Sequence, residues 1–464
     1  MSDAALRLSG LGRRREREER KARNKTSWFP AVEPRMLFGV LTVALLVFGM
    51  LMIYSASSIS GLMSKDSGYD PAYYLVRQIA FSVIGLVAGG ILMAVDYHRW
   101  MGAPLAAFWA VIVGLLVLVY TPVAGQDING ASRWIGLGTF TLQPSEFTKI
   151  MELLVGAYVF QQFFELRTLD RDTSLKMLGL GICLPLGLVL LQPDKGTTGV
   201  ITMALIVMAY LAGLPGRQVA EIFGFIAVAA VLYSLKDDYS RARVMTMFDP
   251  FQDEYGDGYQ LLQGFYALGS GGVTGVGLGM SRQKYNYLPM AHNDFIFAVV
   301  GEELGLVGTV ALVLVFVALL WAGFKIAENA PDLPGKLIAA GGTTMLVAQM
   351  LLNVSGVVGV FPLSGKPIPF VSYGGSSVIS SLMLAGLVLS VALRSDVEQP
   401  EHQRRRAALR IAPEESEEDV EGSTAGRAMP RSARLAGGRM SYTSRSNLRV
   451  VQGGKDTRTR RRSR

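Results

Sequence analysis

Long stretches of uncharged, apolar residues recur through the middle of this 464-residue chain. A bilayer core of ~30 Å takes ~20 such residues per helix. Backbone crossing it must satisfy its own polar groups, which leaves a helix bundle as the expected architecture. Ten windows qualify: 36–56, 74–95, 101–122, 145–164, 176–193, 196–214, 217–236, 294–322, 337–360 and 371–393. The chain is therefore read as an all-α integral membrane protein of about ten transmembrane helices. Only 18% of its residues are charged, against the quarter usual in soluble proteins.

An eleventh window, 258–280, is uncharged but holds eight glycines. Counted as a span it would split the two tails across the membrane. It is read as a loop or re-entrant element inside a large extracytoplasmic loop, about 237–293, between helices 7 and 8. Non-helical backbone near a membrane needs protein or a water cavity around it, and long ordered loops tend to carry function.

The basic character sits in the tails. Residues 1–35 hold 10 basic and 5 acidic side chains, and residues 394–464 hold 17 and 10. The body, 36–393, has 18 basic and 22 acidic residues. Basic flanks of spans mark the cytoplasmic side, so both termini are expected there, and an even span count agrees. Nucleic-acid binding is the less favoured reading of the same charge. Three regions follow: a basic N-terminal tail (1–35), a membrane domain (36–393) and a charged C-terminal tail (394–464) read as disordered. The polar N-terminus and the length of the first apolar run argue for an uncleaved anchor, not a signal peptide.

Cys183 is the single cysteine, and His98, His292 and His402 share no metal-site spacing. That excludes an internal disulfide framework and a cysteine-based metal cluster. The glycines of 269–279 lack the G-K-[ST] of a nucleotide P-loop. Ser281 to Lys284 fits S-x-x-K without its companion motifs. With the tails inside, eleven basic residues of the body fall outside or at outer helix ends. This runs against the usual bias, and an anionic ligand on the outer face would explain it.

Ionisable residues at membrane depth are costly and so mark candidate sites. Four clusters stand out. Gly130 to Ile135 contains Arg133 and Trp134, which either contact a ligand or pack a loop. Gln143 to Lys149 follows, where Pro144 suits a first helical turn and Glu146 and Lys149 are spaced to form a structural ion pair. Asp194 and Lys195 lie in a tight turn, either solvated or functional. Arg241 and Arg243 suit a phosphate, because a guanidinium fork matches its oxygens. Leu288 to Phe297 places Asp294 at the outer start of the eighth span, as a general base with a raised pKa, as a helix N-cap, or as both. Glu302 and Glu303 lie ~12 Å deeper along a helix and are expected to pair internally.

Together the motifs resemble the FtsW/RodA/SpoVE (SEDS) family of bacterial cell-wall proteins. The matching residues are Tyr54 to Ser57, Gly130 to Ile135, Gln143 to Lys149, Gln192 to Gly199, Arg243 to Pro250, Leu288 to Glu303 and Pro367 to Ser376. Within the family, the Ser281 to Lys284 stretch, the order Ala-His-Asn-Asp-Phe and the long charged tails look more like FtsW, the division type, than RodA. Met290 stands where many relatives carry Glu. The resemblance implies ten helices and a peptidoglycan glycosyltransferase of the cytoplasmic membrane, at the division septum, that polymerises lipid II on the outer face. It implies Asp294 as the essential acid. It also implies Arg133, Trp134, Lys149, Arg243, Lys366 and His292 at the pyrophosphate and sugar. No protein-held metal and no reducing or nucleotide cofactor is expected; a divalent cation such as Mg²⁺ is a candidate aid to the leaving group. Implied partners are a class B penicillin-binding protein transpeptidase and other divisome proteins. The competing readings are a flippase for the lipid-linked precursor and a non-enzymatic divisome scaffold.

Overall fold

The computed structural model describes residues 33–410, apart from 66, 122–124, 129–130, 138–139, 167–170, 237 and 257. The expectations for the tails fall largely outside the described residues. The chain forms two compact units, 1–404 and 405–464; of the second, residues 405–410 are described and are helical.

Each of the ten expected spans coincides with a helix. They are α1 (Pro34–Met63), α2 (Tyr73–Ala94), α3 (Ala103–Leu118), α4 (Pro144–Phe160), α5 (Met177–Leu191), α6 (Lys195–Ala212) and α7 (Gly216–Lys236). After α8 (Asp238–Phe248) and α9 (Tyr259–Gly271) come α10 (Ile296–Glu328), α11 (Leu333–Val357) and α12 (Gly375–Arg410). Among the described residues, seven helices are long and apolar enough to cross a membrane; α3, α4 and α5 are shorter.

The bundle is built around α11, which packs against α10, α6 and α4. Leu337, Ile338, Ala339, Ala340 and Met345 on α11 have no exposed surface. Consecutive buried positions mean that α11 is enclosed on all sides, unlike an amphipathic surface helix. At the other extreme, no residue in the apolar window of α7 is buried. It packs chiefly against its chain neighbours α6 and α8.

Three features depart from the sequence reading. First, the loop before α4 contains a three-stranded antiparallel sheet: β1 (Gly125–Ile128), β2 (Ala131–Leu137) and β3 (Phe140–Leu142). Trp134 and Ile135 on β2 are the residue types that strands favour, and Ile135 is buried. Second, the first half of the glycine-rich window is the helix α9. Two of its glycines, Gly264 and Gly271, serve close packing: a Cβ on Gly271 would lie 1.9 Å from the Gly301 carbonyl oxygen of α10.

Third, α10 is broken at Gly305, whose φ of 67° and ψ of −164° are non-helical. The break frees backbone groups in the helix interior, and buried groups of that kind must be paired. The segment after α9 pairs them. Val276 and Gly277 donate to the carbonyls of Glu302 and Glu303, while Leu306 and Val307 donate to those of Gly272 and Val273. The adjacent side chains fasten the same loop. Glu302 accepts from the Ser281 hydroxyl and from the Arg282 N–H at 2.8 Å. Glu303 accepts from Ser55 of α1 at 2.6 Å and lies 3.4 Å from the Lys284 ammonium. The internal pairing expected of these two glutamates is thus made with α1 and the loop.

A Cβ at Gly305 would lie 2.4 Å from both the Gly275 nitrogen and the Val273 oxygen, in a backbone region open essentially to glycine alone. Gly305→Ala is expected to destabilise the protein by at least ~1–3 kcal/mol from backbone strain, seen as a lower midpoint of thermal unfolding in detergent. An unchanged midpoint would mean that the break is not under this constraint.

Candidate functional site

The ends of α4, α6, α10, α11 and α12 meet at one end of the bundle around buried charge. The start of α6 is the anchor. Asp194 is its N-cap, and one carboxylate oxygen accepts from the Thr197 N–H at 3.1 Å. The other accepts from the Thr197 hydroxyl (2.9 Å), Ser145 (2.7 Å), Gln143 (3.0 Å) and the Lys366 ammonium (2.9 Å). Burial alone would raise its pKa, but Lys366 and Arg133 hold it well below the usual carboxylate range. The solvated-turn reading of Asp194 is overturned, since only 1% of its surface is exposed.

The charges continue into α4. Lys366 lies 3.5 Å from Glu146. Glu146 also receives Lys149 at 2.6 Å and the Ser380 hydroxyl of α12 at 2.9 Å. Lys149 donates onward to Gln349 of α11 at 2.7 Å. Pro144 occupies the first turn of α4, where its missing N–H costs nothing. Lys149 and Lys366 are buried, and their ammonium groups are engaged by carboxylates. Lys366 is held above the ordinary lysine value: burial pulls it down, and Asp194 and Glu146 more than offset that.

Arg133 of β2 donates to the carbonyls of Gln192 and Pro193, each at 2.8 Å. It thereby holds the turn that presents Asp194. Trp134 is its strand neighbour and projects from the opposite face of β2.

Asp294 lies beside this network, two residues before α10. It is not the N-cap: Phe295 is, and it makes no side-chain cap. The carboxyl of Asp294 is half-buried. Burial raises its pKa, while Arg243 and Lys366 pull it down less strongly, so the net shift is upward. Arg243, on α8, donates to the Leu363 carbonyl. Between acid and guanidinium runs Gly365, with φ of 64°. A Cβ there would lie 3.5 Å from the Asp294 carboxylate and 3.9 Å from the Arg243 guanidinium. His292 is buried with its ring 4.4 Å from Tyr74 and 5.5 Å from Tyr373, centroid to centroid. Burial lowers its pKa to about 4, so the ring is neutral at pH 7.

The structure thus brings Asp294, Arg243 and Lys366 together and sets Glu146, Lys149 and Arg133 behind them. Among the described residues, no three carboxylate, histidine or cysteine side chains could jointly hold a metal ion. A half-buried carboxyl with a raised pKa beside two cations can take a proton from a hydroxyl, while the cations stabilise an anion leaving nearby. Sequence reasoning missed Asp194 as the hub, and it missed Gln349 and Asn353. A signal for the latter pair existed: two carboxamides spaced i,i+4 inside an apolar span.

Asp194→Ala would leave Lys366 buried with Glu146 alone at 3.5 Å. Breaking a buried pair in this way costs ~3–5 kcal/mol, and thermal unfolding should register it. Replacing both partners, Asp194→Asn with Lys366→Met, should cost clearly less than the sum of the single changes; additive losses would sink the pairing argument.

The chain resembles known proteins over most of its length. Residues 35–396 match the FtsW/RodA/SpoVE family model, described as cell cycle protein. Stage V sporulation protein E of Bacillus subtilis is 37% identical over 365 residues, covering 77% of this chain and 97% of that protein. A protein named "Probable peptidoglycan glycosyltransferase FtsW" from Thiomicrospira cyclica is 40% identical over 356 residues, covering 76% and 90%. Among solved structures, a chain of a peptidoglycan synthase complex, described as coordinating polymerization and crosslinking, aligns with a TM-score of 0.62 at 30% identity, covering 77% of this chain and 97% of that one. The rod shape determining protein RodA of Thermus thermophilus aligns at 0.56 and 28%, covering 77% and 96%. With the family model spanning most of the residues and relatives well above 30% identity matched almost end to end, this multi-pass membrane protein belongs to the FtsW/RodA/SpoVE family.

Proposed function

We propose that the protein is a peptidoglycan glycosyltransferase that polymerises lipid II at the outer face of the cytoplasmic membrane. The observation that carries the reading is half-buried Asp294, whose carboxylate lies by the Gly365 turn close to the Arg243 guanidinium and within the electrostatic reach of Lys366. Asp294 takes the proton of the acceptor sugar's hydroxyl. The freed oxygen attacks the donor's anomeric carbon, and a new C–O bond forms there. The bond from that carbon to the lipid pyrophosphate breaks, and the pyrophosphate leaves with the electron pair. Its charge develops next to Arg243 and Lys366, where fixed cations lower the barrier most. Attack opposite the leaving group inverts the anomeric centre. His292 and Trp134 would contact the sugar, with Arg133 and Lys149 supporting from behind.

The finer assignments rest on likeness. Relatives named FtsW support a septal role in division, and the alignment to a chain of a peptidoglycan synthase complex supports a transpeptidase partner. Ten helices with both tails cytoplasmic follow from the span count and the basic tails. The three-region organisation, with charged tails flanking the membrane domain, is part of the same reading. A precursor flippase is the competing function, and the broken α10 is the feature that would suit it. Against it, the carbonyls of Glu302 and Glu303 and the N–H groups of Leu306 and Val307 at that break are taken by residues 272–277.

Asp294→Asn is expected to abolish glycan ladders from fluorescent lipid II on gels, with expression and membrane insertion unchanged. Ladders from the variant would remove Asp294 as the base. Because Asp294 must be ionised to accept a proton, activity should fall as the pH drops through its raised pKa. The acid limb of kcat/KM is therefore expected above the ~3.9 of an ordinary aspartate. A limb at or below that value would contradict the environment described.

A further inference from the structure

The general base and the leaving-group lysine lie on separate stretches of chain, one ahead of α10 and one between α11 and α12. Their spacing is therefore a tertiary property, and something must set it. Asn353, near the end of α11, touches both. Its carboxamide nitrogen donates to the Asp294 carbonyl oxygen at 2.7 Å and to the Lys366 carbonyl oxygen at 2.7 Å. One NH₂ group has two hydrogens at a fixed angle, and here each goes to one of the two residues. The two carbonyls can then be no further apart than twice that distance.

We infer that Asn353 is a positioning residue, whose single NH₂ group sets Asp294 against the 363–366 segment, which carries Lys366 and binds Arg243 through the Leu363 carbonyl. The inference rests on the proposed transfer reaction, because it assigns Asn353 to the same acid and cations. The side chain is buried, and its own oxygen has no partner among the described residues. An unpaired buried acceptor is costly, so packing alone gives poor reason for a carboxamide here; what an apolar side chain of the same size would lose is the donor shared by the Asp294 and Lys366 carbonyls. Other residue types do not reproduce the contact. Ionised aspartate has no donor, serine has one hydrogen, and glutamine is longer by a methylene.

The neighbouring contacts separate the two roles. One turn back on α11, Gln349 holds the Pro367 carbonyl at 2.8 Å and the Ser377 hydroxyl at 3.1 Å. Lys366 is fixed independently by Asp194. Loss of Asn353 would therefore leave the lysine segment tethered and release chiefly the acid. Displacing a reacting group by ~1 Å costs on the order of 10²-fold in rate, without weakening the grip on the donor.

The test compares full-length wild type, Asn353→Leu and Asn353→Ser with fluorescent lipid II as the probe. Four quantities are read: kcat, the lipid II dissociation constant, the pH profile and the thermal midpoint. The expected result for Asn353→Leu is a kcat on the order of 10²-fold lower with a dissociation constant within about threefold of wild type. Its acid limb should move to higher pH, because Asp294 drifts from the cations that lower its pKa. A kcat within about threefold of wild type overturns the inference. So does a parallel loss of kcat, binding and thermal midpoint with an unmoved pH profile, which is what a merely structural residue would give. Should Asn353→Leu fail to fold, Asn353→Ser is judged by the same criteria. If wild type itself makes no glycan, the transfer reaction and this inference fall together; if wild type is active and the variants keep pace, this inference falls alone.

Discussion

The contact between Asp194 and Lys366 joins the beginning of α6 to the segment between α11 and α12, at 2.9 Å and out of reach of water. Most of the site hangs on it. Through Asp194 it gathers Gln143, Ser145 and Thr197, and through Lys366 it reaches Glu146, Lys149 and Gln349. A buried ion pair is a weak source of net stability, since dehydrating both charges offsets much of their attraction. Its value is in discrimination: an arrangement that separated either partner would strand a charge in an apolar interior. The network therefore selects one relative placement of four helices, and Asp294 sits at its edge.

The placement has a chemical corollary. Lys366 is held positive above the ordinary lysine range, and Asp194 is held ionised by Lys366 and Arg133. Asp294, by contrast with Asp194, is a carboxyl pushed toward its neutral form. One titratable carboxyl beside permanently charged neighbours is the division of labour that acid–base chemistry near neutral pH calls for.

How much of this the amino-acid order disclosed depends on the range of the interaction. The spans were legible because length and apolarity are local, and every expected window holds a helix. Asp294, Arg243 and Lys366 were reached through motifs, and Glu146 with Lys149 through helical spacing. What escaped was tertiary. The glycines of 258–271 read as breakers, yet Gly271 exists to let α9 touch α10. The kink at Gly305 was invisible because the residues that pair its backbone lie at 272–277. Asp194 read as a turn residue, either solvated or functional, because nothing nearby in sequence announces Lys366. Asn353 read as one more residue of an apolar span, because the two carbonyls it joins are distant in the chain.

The isolation of α7 bears on the site as well. A helix of about 20 residues spans ~30 Å. Neighbours packed along a helix fix its tilt; α7 packs chiefly against α6 and α8, so the thickness of the surrounding lipid bears on it more than on the enclosed helices. Directly after α7 comes α8, which carries Arg243 to the Leu363 carbonyl, across Gly365 from Asp294. Lipid at the rim and polar contacts at the centre thus pull on the two ends of one short stretch of chain. The reach of that guanidinium is in this sense a property of the solvent, and a detergent micelle thinner than the native bilayer presents the protein with a differently tensioned site.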